Sequence, residues 1–280
     1  MTNLPALQGM SKEDMAVALG LSAPQGGGGE LATLRLNYQK SKEIDGVKHK
    51  LTKGVWTIFN GVEDVYGTDL NTQILLAAHQ VREWDASKEE YASETIFFDK
   101  GWDDKPEDTS GGYRCGKLKS KQLDGLSEDE LSAQRNKKFY KVLFGIANLS
   151  GLNAQGDEAT ATDIPFIMRV RGKGFMPLSN YLKAFDDDKL LCFDYITEWD
   201  IEEGDHPTTD YWIPMPKRGE SVAGLDDEDV MATLAGLLEY KDKFNKDVLA
   251  QYDKANNIVN FSDAIEMDAV VADDNDDVPF

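Results

Sequence analysis

Leu31-Ala-Thr-Leu-Arg-Leu-Asn-Tyr38 alternates apolar and polar side chains. Leu34 and Leu36 fall on one face, Arg35 and Asn37 on the other, the period-two pattern of a half-buried strand. Moving outward along the chain, GVWTIFNGV, TQILLAAHQVREW, ETIFFD, KKFYKVLFGIANL, PFIMRVRG, LLCFDYITEW and DYWIPMP are further strand candidates. Gly, Asp and Asn turns bound them. TQILLAAHQ would suit a helix equally well, because Leu76, Ala77 and Ala78 are good helix formers. LSNYLKAFDDD reads as a short helix between two strands, and residues 226–256 as one long helix or a helix pair, with acids at the end where the helix dipole favours them. Many strands with one or two helices predict an α+β, mainly β fold: an OB-like barrel or sandwich with elaborations and a C-terminal helix.

Three parts are expected. Residues 1–30 form a flexible leader, cut off by the glycine run in SAPQGGGG. Residues 31–258 form the body, including the helical segment 226–256, and residues 259–280 form a disordered acidic tail. No apolar run reaches the ~20 residues of a membrane helix, so no membrane association is expected. The opening MTNLPALQGMSKED has no basic stretch followed by an apolar one, so no secretory signal is expected either. Two cysteines, Cys115 and Cys192, do not make a disulfide framework, and a reducing, cytoplasmic setting is the expectation.

The formal net charge of -21 argues, taken whole, against a polyanionic partner. The bases are nevertheless segregated. Arg35 to Lys53 holds six bases and two acids, Arg114 to Lys141 eight bases and four acids, and Arg169, Arg171 and Lys173 lie together without an acid. Such patches within an acidic shell are able to form a phosphate-binding face.

Catalytic chemistry does not assemble. Gly111, Gly116 and Lys117 match a phosphate-binding loop up to Leu118, where Ser or Thr would hold magnesium, and neither a preceding strand nor a following apolar-faced helix is present in the pattern. RGKGFMP lacks the third glycine of a dinucleotide fingerprint. His49, His79, His206, Cys115 and Cys192 have no recognised metal-ligand spacing. The chain reads as a non-enzyme without cofactor or metal.

A binding surface does assemble. Tyr113 stands among Arg114, Lys117 and Lys119, while Lys137, Lys138 and Tyr140 alternate along one strand candidate. Arg169 and Arg171 share a face, and Arg35, Tyr38, Trp56 and Trp102 lie in or near other strands. Rings that stack on bases beside cations that meet phosphates are the chemistry of single-stranded nucleic-acid binding. These residues are therefore the candidate DNA contacts. Against each stands the plainer role of an aromatic in the core or a base on a solvated face.

The last residues are Asp273, Asp274, Asn275, Asp276, Asp277, Val278, Pro279 and Phe280. An acidic run ending in aliphatic-Pro-Phe closely resembles the C-terminal tip of bacterial single-stranded DNA-binding proteins, and phage single-stranded DNA-binding proteins with an acidic tail and a final Phe share the design. The resemblance covers fewer than ten residues, and the long Gly/Gln/Pro-rich linker common before the bacterial tip is missing, so a homotetramer is not carried over.

The resemblance implies a protein that coats single-stranded DNA in phage replication or recombination, in the cytoplasm of an infected bacterial host. It implies recruitment of polymerase, helicase, primase or recombination factors through Asp273, Asp274, Asp276, Asp277, Val278, Pro279 and Phe280, with homo-oligomerisation left open. The competing expectation is an acidic protein-interaction module or DNA mimic without DNA affinity, supported by the net charge of -14 that residues 1–262 keep once the seven tail acids are removed.

Overall fold

Strand β1, Ala32–Leu36, follows the alternation of its sequence: Leu34 is buried and Leu36 packs on the core, while Thr33 and Arg35 face solvent. In this computed structural model the described residues are 31–85, 87–88, 90–99, 106–111, 125–128, 131, 136–204 and 210–257. The fold they form is α+β and mainly β, with a large sheet and two helices. The leader 1–30 and the tail 259–280 lie outside them. Among the described residues no helix is long and apolar enough to cross a membrane.

These residues divide into two compact units. One holds the described residues of 31–79 and 140–241; the other holds those of 80–139 and 242–257.

In the first unit, β1 pairs antiparallel with β4 (Trp56–Phe59), and β4 antiparallel with the start of β5 (Asp64–Asp85). On its other side β1 runs parallel to β8 (Glu158–Val170), which is antiparallel to β7 (Lys137–Leu152). Because β5 and β7 also pair, the five strands close a circuit, β1-β4-β5-β7-β8, walked in chain order and joined by one parallel pair. The β5–β7 passage is tight. A Cβ on Gly67 would collide with the carbonyl of Ser150, and one on Gly145 with the carbonyl of Gln73. Only glycine fits at these two points, where backbone meets backbone.

Inside lie Leu34, Trp56, Ile58, Val65, Ile74, Leu143, Phe166 and Met168, with Trp199 edge-on to Trp56 at 5.4 Å. TQILLAAHQ is strand, not helix. Tertiary pairing overrides its helix propensity: Asn71–Gln73 form a ladder with β9 (Tyr195–Gly204), which continues into the edge strand β10 (Tyr211–Ser221). Pro214 and Pro216 are tolerated in β10 because an edge strand has a side that need not donate.

Helix α1 (Phe175–Asp188) sits between β8 and β9 as LSNYLKAFDDD predicts, burying Leu178 and Phe185. Three aspartates at its C-terminal end oppose the helix dipole. Lys183 and Arg218 partly offset them by pairing with Asp187 and Asp188.

Within the basic window Arg35 to Lys53, the sequence reading had no hairpin; the structure has one. Strand β2 (Ser41–Ile44) pairs with β3 (Val47–Lys50) through Asp45 (φ 50°) and Gly46 (φ 76°). Positive φ at both turn residues is what a two-residue hairpin loop matching strand twist needs, and Asp-Gly supplies it cheaply.

In the second unit, the ETIFFD expectation is displaced: the strand is β6, Glu90–Glu94, which pairs with the end of β5. Thr95 and Phe98 stand as isolated bridges beyond it, Thr95 opposite Asp108. Asn245 explains the break. The Phe97 N–H donates to its Oδ1 (2.7 Å), and its Nδ2 donates to the Phe97 carbonyl (3.0 Å), so one side-chain amide satisfies the backbone that a strand partner would otherwise pair. Asn245 belongs to α2 (Glu228–Ala255), the single long helix of the predicted 226–256 segment.

Candidate nucleic-acid interface

The described end of the basic surface begins at β1 and its hairpin. Arg35 is exposed on the outer face of β1, and Lys48 and Lys50 are exposed on β3. Among the described residues, Arg35, Lys40, Lys48 and Lys50 make no ion pair, whereas Lys42 is held by Asp64 at 2.6 Å. That hydrogen bond raises the Lys42 ammonium above its ordinary range, and Lys42 stays charged. The stretch from residue 31 to 60 thus carries an excess of four positive charges within a protein of -21.

Aromatic surface joins this patch through residues distant in sequence. Tyr38, 52% exposed, lies 5.3 Å from the half-buried Trp212 ring at 58°. The Lys53 ammonium stands 6.0 Å from the Trp212 centroid and 3.0 Å from Asp210. Gly54 lets the indole settle: a Cβ there would strike the Trp212 ring, and φ at Gly54 is +70°. Tyr211 points to the opposite face of β10, its hydroxyl held by Lys173, whose ammonium is 4.9 Å from the ring centroid. Adjacent residues of one edge strand therefore present rings on both faces, each beside a lysine.

Of the sequence candidates, Arg35 and Tyr38 belong to this surface. Arg171 is exposed with its guanidinium 6.0 Å from the Tyr140 ring, but Tyr140 itself is buried at 6% exposure. Trp56 is corrected outright. At 0% exposure, packed on Trp199, its ring is core and has no open face to stack on a base. Tyr140 is corrected for the same reason. Arg169 is half-buried in β8, and Lys137 and Lys138 are half-buried at the start of β7 in the second unit. Trp102, Tyr113, Arg114, Lys117 and Lys119 lie outside the described residues, as do Asp273, Asp274, Asp276, Asp277, Val278, Pro279 and Phe280.

Sequence reasoning missed Trp212 and Tyr211; Lys48, Lys50, Lys53 and Lys173 lay in its basic windows but were not singled out as contacts. The Asp-Gly pair between β-branched and basic residues was the available signal for the hairpin. Nothing local marks Trp212 as the partner of Tyr38.

Two half-buried titratable groups are shifted by their surroundings. Burial raises the Cys192 thiol above its ordinary value, and the thiol donates to the Ile74 carbonyl at 3.7 Å. Burial lowers the Lys141 ammonium, against a smaller opposing pull from Asp186. Among the described residues no group of three His, Cys, Asp or Glu is placed to hold a metal ion.

No protein-family model, curated protein or solved structure matches this chain.

Proposed function

We propose that this protein binds single-stranded DNA through the first unit and recruits replication or recombination proteins through its acidic tip, as a binding protein and not an enzyme. The observation that carries the reading is the Tyr38–Trp212 pair with Lys53 beside it, set next to a hairpin whose Lys48 and Lys50 make no ion pair among the described residues while Lys42 is held by Asp64. Stacking contributes about 1–3 kcal/mol per base and tolerates any sequence, and the hairpin cations answer the phosphates. The five-strand circuit is read as an OB-like platform, although its strands follow chain order and not a Greek-key crossing. The resemblance of Asp276-Asp277-Val278-Pro279-Phe280 to the acidic tips of phage and bacterial single-stranded DNA-binding proteins supports the recruiting role and a cytoplasmic setting in an infected bacterial host.

The test is retention of a labelled single strand by the full chain, in competition with duplex of the same sequence. Preferential retention of the single strand supports the proposal; equal or absent retention removes it.

One observation favours a second reading. Glu198, Asp200 and Glu202 are exposed in alternation along β9, a row of carboxylates that a DNA mimic would present to a basic partner. Absence of any DNA affinity, with capture of a DNA-binding protein, would move the conclusion there.

A further inference from the structure

Trp212 borders a cleft of about 350 Å³, lined also by Thr68, Trp199, Ile201 and Glu203, whose size is at the lower end of small-ligand pockets. Trp199 in its lining is buried with its indole N–H already given to Thr72 Oγ1 at 2.9 Å, leaving that ring no donor for a ligand. Its rim is acidic. Asp200 carries Lys217. Glu203 is exposed, makes no ion pair among the described residues, and sits directly opposite Trp212 in the β9–β10 ladder. Directly opposite residues on an antiparallel pair hold their Cβ atoms about 5 Å apart on the same face. The cleft thus offers the aromatic side chains of Trp212 and Trp199, Ile201, Thr68 and one uncommitted carboxylate. Its one uncommitted charge among the described residues is negative, so a DNA strand would turn a base and not its backbone toward Glu203.

Resting on the single-strand reading above, we propose that this cleft receives a nucleobase against Trp212 and that Glu203 selects bases bearing an exocyclic amino group over thymine, which has none. A carboxylate is acceptor-only, so it takes a hydrogen bond from the N4 amine of cytosine or the N6 amine of adenine, whereas the one donor of thymine, N3–H, is flanked by the O2 and O4 acceptors that the carboxylate opposes.

The experiment compares short dC and dT homopolymers of equal length on the full chain at mildly alkaline pH, by fluorescence anisotropy, with Glu203→Gln alongside. One charge-assisted hydrogen bond in the cleft gives dC an advantage on the order of ten-fold. Glu203→Gln should bring the two oligomers to near-equal affinity, by weakening dC and strengthening dT, because an amide both accepts and donates. Its melting temperature should be unchanged, since Glu203 is exposed. Equal affinities in the wild type, or a preference that survives Glu203→Gln, overturn this inference while leaving the single-strand reading in place. Failure of both oligomers to bind removes the two together.

Discussion

The Tyr38 and Trp212 rings meet at 5.3 Å although 174 residues separate them in the chain. Their meeting depends on the five-strand circuit and on Gly54, beneath the indole, and it creates an aromatic surface next to the basic hairpin that neither segment has alone.

Trp212→Ala should weaken single-strand binding by about 1–3 kcal/mol, the worth of one stacked base. Tyr38→Ala should act in the same direction. Because both side chains are partly exposed, thermal melting should change little in comparison with the loss of affinity, which anisotropy titration of the two variants measures.

Lys48→Ala with Lys50→Ala should weaken binding uniformly across sequences. The slope of log affinity against log salt should become shallower by about 0.7 for each phosphate contact removed. A slope identical to that of the wild type would place the phosphates elsewhere.

Gly145→Ala should destabilise the fold by about 3 kcal/mol or more, since overpacking against backbone has nowhere to relax. Gly46→Ala meets no atom within reach and carries only the left-handed turn conformation, so its cost should be about 1 kcal/mol. Denaturant unfolding of the two variants separates the effects.

Lys141 gives a pH signature. Burial lowers its folded-state pKa below the unfolded value of 10.5, so between the two values the unfolded chain binds more protons. The Lys141 contribution to stability must then rise with pH as Lys141 deprotonates in the folded protein, levelling off above the unfolded value, while the raised values of Cys192 and Lys42 act in the opposite direction. Lys141→Met removes that rise and should raise the melting temperature at neutral pH, where the wild type holds a half-buried charge. Melting curves at neutral and alkaline pH check both statements.

The parts of the fold that were legible depend on local period. Leu34 and Leu36 against Arg35 announced a strand, and LSNYLKAFDDD and residues 226–256 announced helices, because one face of each must meet a core. What stayed hidden depends on distance or on a choice of face. Trp56 shares one face of its strand with Ile58, while Val55 and Phe59 put apolar side chains on the other, so alternation could not say whether its ring points in or out. Asn245 ended a strand 148 residues away by imitating a backbone partner. The candidate site was legible in its ingredients, bases near rings, and in Arg35 and Tyr38. Its assembly from Lys53, Tyr38 and Trp212 is a product of tertiary closure, which no window of sequence contains.

The most direct test of the account is tryptophan fluorescence of the full chain titrated with a single-stranded oligonucleotide, beside Trp212→Phe, with anisotropy recorded on the same samples. The account predicts salt-sensitive quenching in the wild type that is largely lost in Trp212→Phe while anisotropy shows the strand still bound, because Phe keeps a ring to stack but not the reporting indole. Quenching of equal depth in the two proteins, or binding with no quenching at all, would contradict the claim that a base stacks on Trp212.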